Sequence, residues 1–242
     1  MSASGQKVAV ITGGAGHLGR AVEEAFARAG HRRVVIDIDA ATLRATYPIE
    51  EEDRLLLPAD LTVTDSVEQA VATATEKFGR VDILCNLAGG FYYGEPVHET
   101  KMDVWRRLLD LNAVTMINAT RAVVPAMVSA GSGTVINVGA AAHQRGRAHM
   151  SAYAAAKGAV MRITESMADE LRGEGVGVFC VMPEIIDTPT NRAEMPDADT
   201  SSWTPPSAIA ETILLLCDDA AFIVSGGLFA MKGSPRMVKP TR

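Results

Sequence analysis

Tyr153 and Lys157 are the residues whose types and spacing speak most directly of chemistry. In Tyr153-Ala154-Ala155-Ala156-Lys157 they stand four apart, and on a helix that spacing puts both side chains on one face. A free tyrosine titrates near ~10 and is a poor acid or base at neutral pH. An ammonium beside it stabilises phenolate and lowers that value. A phenol tuned this way gives a proton to a reduced substrate atom, or takes one in the oxidative direction. The motif is short and arises by chance, so a plain solvated helix face is the alternative until other features join it.

A second group does join it. Thr12-Gly13-Gly14-Ala15-Gly16-His17-Leu18-Gly19 directly follows the apolar run Val8–Ile11 and precedes an alanine-rich helical stretch. The glycines permit a tight turn and a close approach of backbone N–H groups to a pyrophosphate, and a helix N-terminus adds partial positive charge. Asp37 lies eighteen residues beyond Gly19, at the end of the next apolar run. A carboxylate there accepts hydrogen bonds from both adenosine ribose hydroxyls and repels a 2′-phosphate, which favours NAD(H) over NADP(H). Arg32 and Arg33 come too early to clamp a phosphate. The bland readings are a tight strand–helix turn and a solvated strand end.

The elements that must position these residues alternate strand and helix. Strands are expected at Val8–Ile11, Val34–Ile36, Leu55–Leu57, Val81–Asn86, Gly133–Val138, Val176–Met182 and Gly227–Met231. Helices are expected after the glycine turn as far as Ala29, at Ala40–Ala45, from a cap at Thr64 or Asp65 to Phe78, at about 100–130, at about 151–172 and at Ser207–Cys217. The pattern implies an α/β fold of one domain over residues 1–242: a doubly wound, Rossmann-type parallel sheet of about seven strands with helices on both faces. A polar stretch at about 184–206 is expected to be a long loop that covers substrate.

The 242 residues are 48% hydrophobic and 21% charged, which excludes a disordered chain, a coiled coil and a disulfide scaffold. With 23 Lys and Arg against 29 Asp and Glu the net charge is -6. That gives no footprint for nucleic acid or an anionic membrane. Cys85, Cys180 and Cys217, with no CxxC, read as reduced buried thiols. No signal-peptide pattern is read at the N-terminus, and no apolar run is read as approaching a membrane span of ~18 residues. The expectation is a cytoplasmic enzyme with a small-molecule substrate and no metal.

With the turn, Asp37 and the Tyr–Lys pair in place, nearly the whole chain resembles the short-chain dehydrogenase/reductase family. That family's turn reads Thr-Gly-x-x-x-Gly-x-Gly; here His17 stands at the middle glycine and Gly16 one place early. By resemblance, Asp60-Leu61 contacts the adenine ring, and Asn86-Leu87-Ala88-Gly89 borders the cofactor after the fourth strand. Asn112 takes the place of a structural, proton-relaying asparagine. Pro183, Ile186 and Thr188 lie along the nicotinamide, with Thr188 on its carboxamide, and Lys157 reaches the ribose. The resemblance also implies a homodimer or homotetramer joined through the helices at about 100–130 and 151–172.

Two departures are informative. The family's serine thirteen residues before the tyrosine is Ala140 here, and its Pro-Gly is Pro183-Glu184. His143 and Gln144 are candidates to reach the pocket in the serine's stead, and Glu184 to contact substrate. The missing serine, the early Gly16, the Ala-Gly-Gly at 88–90 and the stretch 187–205 together resemble the quinonoid dihydropteridine reductase branch, although Asn112 resembles the general family. The implied activity is NADH-dependent reduction of a conjugated heterocycle, with Trp203, Phe91, Tyr92 and Tyr93 available to cover a flat ring. The alternatives are a general carbonyl or alcohol oxidoreductase, and an NAD(H)-binding regulator without turnover.

Overall fold

The computed structural model describes residues 5–141 and 145–233. Its centre is a seven-stranded sheet: β1 (Val8–Thr12), β2 (Arg32–Asp37), β3 (Arg54–Pro58), β4 (Ile83–Asn86), β5 (Gly133–Val138), β6 (Val176–Pro183) and β7 (Leu228–Met231). The order is β3-β2-β1-β4-β5-β6-β7, and every pairing is parallel. The order reverses beside β1, so a crevice opens at the carboxyl ends of β1 and β4. A ligand of an open α/β sheet belongs there.

Side-chain alternation explains the two layers of helices. Val8 and Val10 face one side, where α3 (Thr64–Phe78) and α5 (Thr115–Ala130) bring Val67, Ala74, Val123 and Met127. Ala9 and Ile11 face the other, where α1 (His17–Arg28) and α8 (Pro206–Leu216) bring Val22, Phe26, Ile209 and Ile213. Each Val, Ile, Phe or Met side chain among them, fully buried, contributes roughly 1.5–3 kcal/mol. Apolar residues on both faces are what a central parallel strand requires.

The remaining elements are α2 (Ala40–Thr46), α4 (Met102–Leu109), α6 (Ser151–Glu170) and a short α7 (Pro189–Glu194). Three details differ from the sequence expectation. Helix α3 is capped by neither Thr64 nor Asp65: Val63 holds the cap position, and Thr64 is already helical. The polar stretch 184–206 contains α7 and a 3-10 turn, Thr200–Ser202. Finally, Met102–Ala130 is a 29-residue helical run long and apolar enough by composition to cross a membrane, contrary to the expectation that no run approached that length. Its apolar residues Met116, Ala119, Val123 and Met127 are buried in the core. Burial against the sheet accounts for its hydropathy.

Candidate active site

The crevice beside β1 is a cleft of about 450 Å³. Its floor is the turn between β1 and α1. Gly13 has φ 63, in the left-handed region, and a Cβ there would stand 2.9 Å from the Ala88 backbone. A Cβ at Gly19 would stand 2.4 Å from the Gly13 carbonyl oxygen. Only glycine lets the turn, the helix and the loop after β4 approach so closely. Helix α1 starts at His17 with no side-chain cap and no acidic residue in its first turn. Its first N–H groups are therefore left for an anion. Gly16, His17, Leu18 and Gly19 all line the cleft.

Asp37 stands at the rim of the same cleft. Its Oδ2 accepts from Ala15 N at 3.0 Å and its Oδ1 from Ile38 N at 2.8 Å. Each oxygen keeps further lone-pair capacity for a ligand hydroxyl. Arg33 is buried against Glu23 at 3.1 Å and also pairs with Glu51, and Arg32 pairs with Asp53 at 3.4 Å. These two guanidiniums thus serve other carboxylates. Asp60 and Leu61 line the cleft; the Asp60 carboxylate accepts from the Thr62 hydroxyl and N–H, which hold its pKa below the usual range. Thr12 works from behind: 1% exposed, its hydroxyl accepts from Leu87 N and Ala88 N at 3.0 and 3.2 Å. Ala88, Gly89 and Thr188 also line the cleft.

Deeper in, the helical run breaks into a π-turn, Asp110–Val114, that carries Asn112. Such turns free backbone groups and concentrate at functional sites. Asn112 Nδ2 donates to Leu108 O at 2.9 Å and Gly90 O at 3.0 Å, while its Oδ1 accepts from Gly90 N at 3.3 Å. A Cβ on Gly89 would lie 2.7 Å from Asn112 Oδ1 and 3.4 Å from Lys157 Nζ, so these three residues converge. Asn86 supports the loop from below through Asn137 at 2.9 Å, which in turn reaches Thr164 at 2.9 Å.

Tyr153 and Lys157 sit in the first two turns of α6. Lys157 is 6% exposed and its Nζ donates to Val138 O at 2.8 Å. Burial pulls the ammonium down to about 8. Burial also pushes the Tyr153 phenol up to about 12. The expectation that the ammonium lowers the phenol is thus not met: desolvation dominates both groups. The Phe91 ring stands edge-on to Tyr153, with centroids 5.1 Å apart.

Ala140 follows β5, is 5% exposed and carries no hydroxyl. Pro183 ends β6 in register with Met231. Glu184 pairs with Lys232 at 3.3 Å. Ile186 bridges to Thr204, and Thr188 caps α7 by accepting from Asn191 N at 3.1 Å. Trp203 is 2% exposed and offers no open face, whereas Phe91 and Tyr93 are 55% and 61% exposed. His143 and Gln144 lie outside the described residues, as does the tail from Ser234. Ile38, Thr62, Leu111 and Thr115 also line the cleft and were not singled out from sequence. Each lies within a few residues of a position that was.

The profile of the short chain dehydrogenase family matches residues 7–199. The chain belongs to this family. It is 29% identical over 244 residues to 2-(S)-hydroxypropyl-CoM dehydrogenase 3 of Xanthobacter autotrophicus, covering 94% of this chain and 95% of that one. It is 30% identical to cis-4-hydroxycyclohexanecarboxylate dehydrogenase of Sinomonas cyclohexanicum, covering 94% and 96%. The 3-ketoacyl-(acyl-carrier-protein) reductase of Brucella melitensis, solved with NADH, superposes with a TM-score of 0.83 at 27% identity, covering 93% and 96%. This short-chain dehydrogenase is accordingly an oxidoreductase that uses a nicotinamide cofactor. The glycine cradle, the uncapped helix and the rim carboxylate are a fit for that dinucleotide.

Proposed function

We propose that this short-chain dehydrogenase is an NADH-dependent reductase of a planar, conjugated heterocycle such as a quinonoid dihydropterin. The observation that carries the reading is Ala140: a methyl group stands where a polarising hydroxyl is expected, while Tyr153 and Lys157 are both present on α6. Losing one polarising donor costs a simple ketone on the order of 10²–10³ in rate, by analogy with an oxyanion hole. A quinonoid ring is already electron-poor and needs less polarisation. The 55% exposed Phe91 ring beside Tyr153 supplies a flat apolar wall for it.

In this reading the glycine turn and the start of α1 hold the pyrophosphate. Asp37 takes the ribose hydroxyls and repels a 2′-phosphate. Bound there, a reduced nicotinamide supplies the hydride. Tyr153 gives its phenolic proton to the ring nitrogen that becomes basic as the substrate gains two electrons, and solvent returns a proton to the phenolate. Lys157 holds the ribose and stabilises that phenolate. Asn112 keeps the Gly89–Gly90 loop in place and can relay the returning proton. Exposed Met102 and Leu109 on α4 fit the proposal that the protein assembles as a homodimer or homotetramer through its central helices.

The names of the relatives favour one second reading, oxidation or reduction of an alcohol–ketone pair. A panel of quinonoid dihydropterin, cyclic ketones and 3-ketoacyl thioesters, each with NADH and NADPH, separates the two. Pterin turnover with NADH at kcat/KM well above every ketone is expected. Faster turnover of a ketone than of pterin overturns the proposal.

A further inference from the structure

We infer that His149 is a positioning residue: it latches residues 91–95 onto the start of α6 and thereby fixes Phe91 against Tyr153. The inference rests on the reading of Tyr153 as proton donor and adds what shapes the wall beside it.

His149 is, among the described residues, the only non-glycine with positive φ, at 66°. A residue with a Cβ pays conformational strain there, and strain of this kind persists where surrounding contacts impose it. The Nδ1 atom of His149 stands 2.9 Å from Gly94 O; a carbonyl only accepts, so Nδ1 carries the hydrogen. In return Gly94 N donates to His149 O at 3.0 Å. The imidazole also packs against Tyr93, tilted at 39°, with centroids 5.5 Å apart. Three interactions therefore join residue 149 to residues 93 and 94.

The latch sits between two pieces of the site. His149 is four residues before Tyr153, just ahead of the first turn of α6. Gly94 is three residues after Phe91, whose ring meets Tyr153 edge-on. Tyr92 bonds Glu95 and packs in the cluster of Leu108, Ala152 and Ala156 that also includes Tyr153. A Cβ on Gly94 would strike Tyr92 Oη at 2.3 Å, so the segment has little slack once latched. Without the imidazole, residues 93 and 94 keep only the backbone bond from Gly94 N to His149 O as a link to residue 149, and Phe91 is held less firmly edge-on to the phenol.

Three variants separate the imidazole's bond from its backbone strain. His149→Ala keeps the strain and loses the bond. His149→Gly relieves the strain and loses the bond. His149→Asn tolerates a left-handed φ and keeps an N–H donor. Each is studied with NADH bound, by hydrogen–deuterium exchange of the peptide covering residues 91–95 and by steady-state kinetics with quinonoid dihydropterin. The latch predicts faster exchange in Ala and Gly, with KM raised about three- to tenfold and kcat within about twofold of wild type, as one lost hydrogen bond implies. It predicts recovery of both readouts in Asn. Wild-type exchange and KM in both Ala and Gly overturn it, as does recovery by Gly together with failure by Asn. The exchange measurement needs no turnover, so a wild-type enzyme inert to pterin counts against the proposed substrate and leaves the latch to be judged by exchange.

Discussion

The cleft beside β1 and the region around Tyr153 are built in different ways. The cleft is mostly backbone: Gly13 close to the Ala88 main chain and Gly19 close to Gly13, with helix N–H groups and one carboxylate at the rim. The region proposed to meet substrate is mostly side chain and loop: Phe91 edge-on to Tyr153, His149 holding Gly94, Glu184 paired with Lys232, and Ala140. Backbone recognition tolerates little change, because an added Cβ at Gly19 would meet a carbonyl oxygen at 2.4 Å. Side-chain recognition is open to change one residue at a time. One family can thus keep its cofactor while its substrates diverge.

The contrast predicts that chemistry around Tyr153 can be removed without disturbing the cleft beside β1. Tyr153→Phe is expected to lower kcat by about 10²–10⁴, the usual worth of a placed general acid. NADH affinity, read by fluorescence titration, should hardly change. A parallel collapse of NADH binding would mean that the two regions are not separable.

Ala140→Ser tests the region around Tyr153 in the opposite direction. Turnover of simple ketones should rise by about 10², the worth of one polarising donor. Pterin reduction should stay within about threefold. Equal gains on both substrates would show that the bare methyl has no bearing on selectivity.

Asp37→Ser tests whether cofactor choice is confined to the cleft beside β1. Removing like-charge repulsion should narrow the NADH-over-NADPH preference by about ten- to a hundredfold, or roughly 1.4–2.8 kcal/mol. The Tyr153-dependent step should be unaffected at saturating cofactor. An unchanged preference would assign discrimination to other residues.

The last test concerns Lys157 and is read in stability, not turnover. Burial lowers its ammonium from 10.5 to about 8. Below about 8 both folded and unfolded states hold the proton, and the full cost of burying the charge is present. As pH rises from about 8 to 10.5 the folded state sheds its proton first. The unfolded state then binds more protons, so this residue's contribution to stability rises with pH. Urea midpoints of the apo protein should carry this upward component, and Lys157→Met should lack it. Identical pH dependence in the two proteins would contradict the burial assigned to Lys157.

The same contrast decides what could be read from sequence. Strand number and both helical layers follow from local patterns, because parallel strands buried on both faces are near-continuous apolar runs. The cofactor cleft is legible for the same reason: its residues are contiguous at Gly13–Gly19 or end a strand at Asp37. The π-turn around Asn112 carries no composition signal, since it depends on how the helix meets the Gly89–Gly90 loop. The direction of the Tyr153 shift is not legible in the sequence because burial by the surrounding fold outweighs a neighbour one turn away. Trp203 looked available to a ligand only because its burial depends on how a distant loop folds back. The link from His149 to Gly94 spans 55 residues and leaves no trace in either local segment.

The most direct measurement of the central claim is single-turnover NADH oxidation by quinonoid dihydropterin, with wild type and Tyr153→Phe side by side. The account predicts rapid oxidation by wild type, slowed about 10²-fold or more in the variant, with both proteins fully bound to NADH. NADH binding in both with no pterin-dependent oxidation in wild type would contradict it. So would equal rates in the two proteins.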